Sequence, residues 1–270
     1  LDFLRFMGNQ GYETYGYEKL TKRLSKKGNL EHADSALGIF DNEFLQEAAN
    51  ILIESKKNYT AHLMTSTSHS PWVIPEDAPT KFDEPALDAF AYVDSAIKTF
   101  MQTLQQDSKR FEETLFVFVA DHTSFTFNDD LMERIRIPLI FYSAKKLPEQ
   151  VKTITEQFTS HVDILPSILS LLNGEHQHGG LGNSLFSKQS HSKGAISGDR
   201  FKGTYINHGY MLLYLPYEEQ NKLMSINSSE SLNTNNQYDL LRTQEKMKLE
   251  YLAQYELAKR LSMKKQVYPL

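Results

Sequence analysis

The chain has no cysteine, a single tryptophan, no cluster of basic residues and no long apolar run. Without cysteine there is no disulfide framework, no thiolate zinc site and no thiol nucleophile. That fits either the cytoplasm or a cell-envelope protein that does without covalent staples. A membrane helix needs roughly 18 or more consecutive apolar residues, and no segment approaches that. With a net charge of -5 and no basic patch, nothing would neutralise a phosphate backbone, so nucleic acid is not an expected partner. The chain also lacks an initiator Met and a signal peptide, and opens at Leu1 inside what reads as an amphipathic segment. The expectation is a fragment whose upstream part, with any targeting information, lies elsewhere.

What is present is globular in character. With 270 residues, 40% hydrophobic and 23% charged, the chain can bury one large α/β core or two smaller ones. The most informative stretch runs from Leu115 to Ser124. Leu115 to Ala120 is an apolar run rich in Phe and Val, which reads as a strand buried on both faces, as in a parallel sheet. It ends at Asp121-His122, followed by Thr123 and Ser124. Ligands of open α/β sheets sit beyond the carboxyl ends of strands, and an Asp beside a His suits a hard or borderline divalent cation. An Asp N-cap beside a surface His remains the alternative.

Upstream, 1–11 suggests a helix end and a turn, and 13–34 a solvated loop or short helix. Phe44, Leu45, Ala48, Ala49, Leu52 and Ile53 recur at helical spacing, with Asp41 or Asn42 as cap. Residues 59–65 read as a second strand, leading to Ser66-Thr67-Ser68-His69-Ser70-Pro71-Trp72. His62 reads as a packed or edge histidine within that strand, whereas His69 lies in the loop, where functional groups gather. Pro85 to Gln106 carries an apolar stripe of Leu87, Phe90, Val93, Ile97, Phe100, Met101 and Leu104. A strand, this helix and the Leu115 strand would make a right-handed βαβ unit. Both strand ends would then face one side, bringing His69 to Asp121 and His122.

Downstream, 135–142 reads as a strand whose Pro138 implies an edge or bulge. Asp163 would cap a short apolar helix over 164–172 that stops at Asn173-Gly174. His176 and His178 fall in a Gly-rich loop. Residues 194–197, 204–207 and 210–215 look like an antiparallel meander, with a turn at Asn207-His208-Gly209. A polar loop over 227–236 precedes a charged helix from Leu240 to Met263 that would pack on the surface.

In this order the motifs resemble the C-terminal part of the catalytic domain of sulfatase-like, alkaline-phosphatase-superfamily proteins, of the lipoteichoic acid synthase and membrane phosphoglycerol transferase type. The likeness rests on 65–72, on Tyr92-Val93-Asp94-Ser95-Ala96-Ile97, on Phe118-Val119-Ala120-Asp121-His122 and on Arg136-Ile137-Pro138-Leu139-Ile140. It also rests on His161-Val162-Asp163-Ile164-Leu165-Pro166-Ser167 and on Gly182-Asn183-Ser184-Leu185-Phe186, and covers most of 36–190. It implies an α/β fold with a mostly parallel central sheet flanked by helices, plus a small C-terminal antiparallel sheet and a terminal helix. Residues 1–190 would be part of the catalytic domain, and 191–270 its strands and packing helix, in the same globular unit.

The resemblance further implies one divalent ion, Mn foremost, with Zn, Mg or Ca as alternatives. It would be held by a Glu, a nucleophilic Thr or Ser, and the pair Asp121 and His122, with His69 on the substrate side. The substrate would be a phospholipid or glycan of a bacterial envelope. This domain would be extracytoplasmic, with membrane association through an N-terminal region outside the chain. The family's Glu and nucleophile lie upstream of the segment matching Leu1, so no catalytic nucleophile is expected here, and Thr123 and Ser124 stand where relatives often have Gly. The fragment alone is expected to be inactive. Phosphoethanolamine transfer, sulfate-ester hydrolysis and a non-catalytic envelope sensor or binding protein are the alternatives.

Overall fold

The computed structural model describes residues 11–26, 38–123, 132–145, 147, 158–172, 175–187, 194–198, 202–207, 209–226, 232 and 238–263. The chain divides into two compact units, Leu1–Thr114 and Leu115–Leu270. The expected boundary near 190 lies inside the second. The segment 1–10, Ser124, the Asn173-Gly174 stop, His208 and most of 227–236 lie outside the described residues.

The described part of the first unit is helical. Helix α1 (Tyr17–Lys26) buries only Leu20 and Leu24, a narrow apolar stripe. It packs on α2 (Asp41–Glu54) through Leu20 and Leu24 against Ile39, Phe44 and Ile51. Arg23 of α1 pairs with the buried Glu47 and, at 3.0 Å, with Glu54. Helix α2 lies against α3 (Pro85–Leu104), and both bury alanines: Ala48 and Ala49 on one, Ala86, Ala89 and Ala96 on the other. This rotates α3 from the expected stripe. Phe100 and Leu104 are buried as anticipated, but Leu87 and Phe90 are exposed. A pattern scored on large residues misses alanines, which let helix axes approach closely. Arg110, on the five-residue α4 (Ser108–Glu112), donates to the carbonyls of Leu52 (2.8 Å) and Ser55, closing the otherwise unsatisfied end of α2.

The expected strand over 59–65 does not form. That segment has no ladder partner among the described residues, and 60–64 are exposed. Strand character needs neighbours and burial more than β-branched composition. The loop that follows is held by a carboxylate instead. Asp41 does not cap α2. Its oxygens accept from the backbone N–H of Ser66 (2.9 Å) and Thr67 (3.0 Å), and its own N–H donates to Thr67 Oγ1 (3.0 Å). Burial pushes the Asp41 carboxyl above its ordinary range, against the lowering effect of these bonds. Asp88 does the same for the loop before α3, accepting from Lys81 N (2.6 Å) and Phe82 N (3.0 Å).

In the second unit, β1 (Phe116–Val119) pairs with β2 (Leu139–Tyr142), which begins just after Pro138. The pair is antiparallel, with Phe116 opposite Tyr142 and Val119 opposite Leu139. The anticipated βαβ unit is therefore not formed among the described residues. Nor is β1 buried on both faces, since only Phe116 is buried and Val119 is exposed; an apolar run leaves both the cover of a strand and the direction of its partner open. A 3₁₀ turn (His161–Asp163) leads into α5 (Ile164–Leu171).

The C-terminal meander is as expected and gains a fourth strand. Strands β3 (Ala195–Gly198), β4 (Gly203–Asn207), β5 (Tyr210–Leu215) and β6 (Gln220–Ser225) pair antiparallel in chain order. Alternation along each strand sorts two cores. Ile196, Tyr205, Leu212 and Leu223 form one row across the sheet. Met247 and Tyr251 of α6 (Tyr238–Met263) cover it. Ile206, Met211 and Met224 face the other way, onto Met132, Ile135 and Phe158. The meander thus shares a core with residues well before 190. Tyr205 is fully buried, receives a hydrogen bond from Asn207 Nδ2 (3.1 Å) and has its pKa pushed up to about 12, by burial first.

Two outcomes test this packing. Asp41→Ala removes the acceptor of two backbone N–H groups and should cost about 2 kcal/mol in urea denaturation, with faster amide exchange at Ser66 and Thr67. For Tyr205 the folded pKa lies above the ordinary value of 10, so the folded state binds the phenolic proton more tightly than the unfolded one. Its contribution is complete below pH 10 and is lost as pH rises through about 12. The stability advantage over Tyr205→Phe should therefore shrink across that window, as read from urea midpoints.

Candidate functional site

Strand β1 ends at Val119, and Ala120 carries the chain to Asp121 and His122, whose side chains are 89% and 56% exposed. Asp121 Oδ1 accepts from the backbone N–H of His122 at 2.9 Å. This local bond turns the two side chains to the same side. The His122 Nδ1 lies 2.8 Å from the carbonyl oxygen of Thr123. Nδ1 must be the protonated nitrogen there, which makes Nε2 the basic one.

His122 Nε2 stands 3.6 Å from Asp121 Oδ2, beyond hydrogen-bond length. Two ligand atoms bound at about 2.1 Å to one tetrahedral zinc ion lie roughly 3.4 Å apart. The two donors therefore have nearly the spacing of neighbours in one coordination sphere. The backbone bond at Nδ1 is the outer contact by which metal-binding histidines are commonly oriented. No group of three or more His, Cys, Asp or Glu that could hold a metal exists among the described residues. The donor set fits a divalent ion as half of a site.

The hydroxyl of Thr123 donates to the carbonyl of Arg134. That bond holds Thr123 in place and occupies its Oγ1 hydrogen.

His161 is a neighbour that the sequence did not single out. Its Nε2 lies 2.8 Å from the carbonyl oxygen of Ala120, the residue immediately before the pair. The turn beneath it is firmly fixed. Asp163 accepts from Ser160 N and Asn183 N, both at 2.9 Å. The buried Ser167 donates to the Asp163 carbonyl (2.6 Å) and accepts from Leu185 N (3.0 Å). Gly182 lies so close to the Val162 carbonyl that a Cβ would collide with backbone. Phe186 in turn packs edge-on to Phe141 of β2, with centroids 5.2 Å apart. Its sequence signals were a His two residues before an Asp at a helix start and its place in the His161-to-Ser167 motif that carries the family resemblance.

His69 belongs to the first unit and the Asp121-His122 pair to the second. His69 sits in a tight turn, with His69 N bonded to Ser66 O and Trp72 N to His69 O, both at 3.0 Å. Its Nδ1 is 2.7 Å from the Ser70 carbonyl oxygen, so here too Nε2 is the outward, basic nitrogen. Trp72 has φ of 56°, a left-handed conformation costing a bulky residue about 1–3 kcal/mol. His62 is exposed and meets Tyr12 edge-on at 5.8 Å, in place of the packed or edge position in a strand expected for it. The His178 ring lies 3.3 Å from where a Cβ on Gly180 would stand, and neither it nor His176 joins Asp121 or His122 in a metal-binding group among the described residues.

The chain is 25% identical to the lipoteichoic acid synthase of Staphylococcus saprophyticus, covering 61% of this chain and 28% of that protein. It is 24% identical to the lipoteichoic acid synthase of Staphylococcus aureus strain USA300, over 56% and 26%. The chain thus spans just over a quarter of the length of these curated relatives. Among solved structures, an alkaline phosphatase superfamily protein from Vibrio parahaemolyticus superposes with a TM-score of 0.68 at 18% identity, over 87% of this chain and 57% of that one. The structure of Ps i-CgsB in complex with k-i-k-neocarrahexaose gives 0.59 at 14% identity, over 88% and 64%. These likenesses establish an alkaline-phosphatase-type α/β fold. The sequence model of the sulfatase family matches residues 2–174, and the chain therefore belongs to the sulfatase family.

Proposed function

We propose that the chain is the C-terminal part of the catalytic domain of a metal-dependent phosphoryl-group transferase, of the phosphoglycerol transferase kind. Its substrate would be an envelope phospholipid or glycan. The observation that carries this reading is the convergence of Asp121 Oδ2 and His122 Nε2, 3.6 Å apart, in a chain whose curated relatives are lipoteichoic acid synthases. These two side chains would hold one divalent ion, with Mn as the first choice and Zn, Mg or Ca as alternatives. A bound ion would lower the pKa of a coordinated hydroxyl and neutralise charge on the transferring group.

The remaining roles fall to residues of this chain and to sequence outside it. The bond of His122 Nδ1 to the Thr123 carbonyl would leave Nε2 to face the ion. His69, with Nδ1–H held by the Ser70 carbonyl, would accept a proton at Nε2 from the attacking group and, in the resulting imidazolium form, donate to a phosphate oxygen or protonate the leaving group. The nucleophilic Thr or Ser and the remaining ligands are assigned to sequence outside this chain, so the chain alone would not turn over. No described helix is long and apolar enough to cross a membrane. The reading places this domain outside the cytoplasm of a bacterium, with the membrane anchor in another part of the protein. Sulfate-ester hydrolysis is the second reading, favoured by the match to the sulfatase family model.

The test uses the full-length protein, with Mn binding followed by calorimetry. Asp121→Ala should weaken binding at least tenfold, and an unchanged affinity would reject the site. Turnover of a phospholipid and of an aryl sulfate, measured side by side, separates the two readings. With whichever substrate is used, His69→Ala should lower kcat roughly 100-fold while leaving Mn affinity near the wild-type value. A fall in Mn affinity with no change in kcat would remove His69 from the substrate side.

A further inference from the structure

We infer that His161 is a positioning residue for the Asp121-His122 pair, acting through the carbonyl of Ala120. This inference rests on the metal reading above and goes beyond it, because His161 is neither a proposed ligand nor a substrate contact.

A carbonyl oxygen can only accept, so the imidazole nitrogen 2.8 Å from Ala120 O must carry the proton. His161 is thereby an Nε2–H donor. The acceptor belongs to the peptide that joins Ala120 to Asp121, the link at which β1 gives way to the donor pair. β1 is only four residues long, and its ladder with β2 ends at Val119 opposite Leu139. Past that point nothing in the ladder fixes the backbone that aims Asp121, and His161 supplies the missing restraint.

A restraint is only as firm as its mount. His161 sits on a turn whose next residue but one, Asp163, is tied to Ser160 and Asn183 through both carboxylate oxygens. Gly182 packs against the intervening Val162 carbonyl with no room for a side chain. Ser170 and Ser184 share a hydrogen bond of 2.6 Å, closing the same clasp one helical turn further on. A segment some forty positions away in sequence is thus locked in place and reaches back to the base of the ligand pair. In an exposed site whose two donors come from consecutive residues, a small rotation of that peptide would change their spacing. Outer groups of this kind typically change metal affinity ten- to a hundredfold.

The experiment measures Mn affinity of the full-length protein in four forms: wild type, Asp121→Ala, His161→Phe and His161→Gln. Phe keeps the ring and removes the donor. Gln gives up the ring but can place an amide N–H where the imidazole Nε2–H was. The expected pattern is a loss for Asp121→Ala, about tenfold weaker binding for His161→Phe, and near wild-type binding for His161→Gln, with thermal midpoints of the two His161 variants alike.

Wild-type affinity in His161→Phe, alongside a loss in Asp121→Ala, would overturn the role of His161 and leave the metal site standing. Equal losses in His161→Phe and His161→Gln would also overturn it, since the donor would then not be what matters. Unchanged affinity in Asp121→Ala would remove the site itself, and the positioning role with it. If His161→Phe does not fold, His161→Gln decides alone: retained affinity supports the role and a tenfold loss refutes it.

Discussion

Aspartate carboxylates that accept backbone N–H groups hold the loops of this chain. Asp41 takes the amides of Ser66 and Thr67, Asp88 those of Lys81 and Phe82, and Asp163 those of Ser160 and Asn183. Each uses a charged acceptor, which makes a stronger bond than a neutral one. Each also joins a helix or its first turn to an irregular segment. Asp41 and Asp88 are buried, so their loops are held from inside, where water does not compete. The loop bearing His69 and the turn bearing His161 both owe their placement to such a clamp. Candidate functional groups are thereby carried on segments that no sheet ladder fixes.

The same economy shapes the histidines. His69 and His122 each pin Nδ1–H on a carbonyl one residue ahead, Ser70 and Thr123 respectively. His161 pins Nε2–H on Ala120 instead. Backbone bonds therefore set which nitrogen of each ring donates, through a carbonyl one residue ahead for His69 and His122 and through one 41 residues earlier for His161. For His122 the other nitrogen, Nε2, is the one beside Asp121. A pair of adjacent residues with one shared internal hydrogen bond is a compact way to place a carboxylate and an imidazole at ligand spacing. It has room for further donors from other segments.

Much of the fold was legible in the sequence because it is written in periodicity. Helix α2, most of α3, the C-terminal hairpins and α6 follow from spacing, and the motifs around Asp121, His161 and Gly182 supported the family resemblance before any geometry. What was not legible depends on contacts distant in sequence. The segment 59–65 has strand composition but no ladder among the described residues. The direction of β1's neighbour is not encoded in an apolar run, and the buried face of α3 is set by alanines that carry little hydrophobic signal. At the site, Asp121 and His122 stood out as consecutive ligands at a strand end. His161 did not, because its role depends on a carbonyl 41 residues earlier. Asp41 looked like a helix cap, and only the fold shows that its carboxylate holds the loop over 66–67.

The claim that Asp121 and His122 share one divalent ion is tested most directly by seeing the ion. Crystals of the full-length protein or its complete catalytic domain, grown with Mn, would be measured at a wavelength where manganese scatters anomalously. The account predicts one anomalous peak within about 2.0–2.3 Å of both a carboxylate oxygen of Asp121 and Nε2 of His122. A peak held elsewhere, with these two side chains turned away from it, would contradict it.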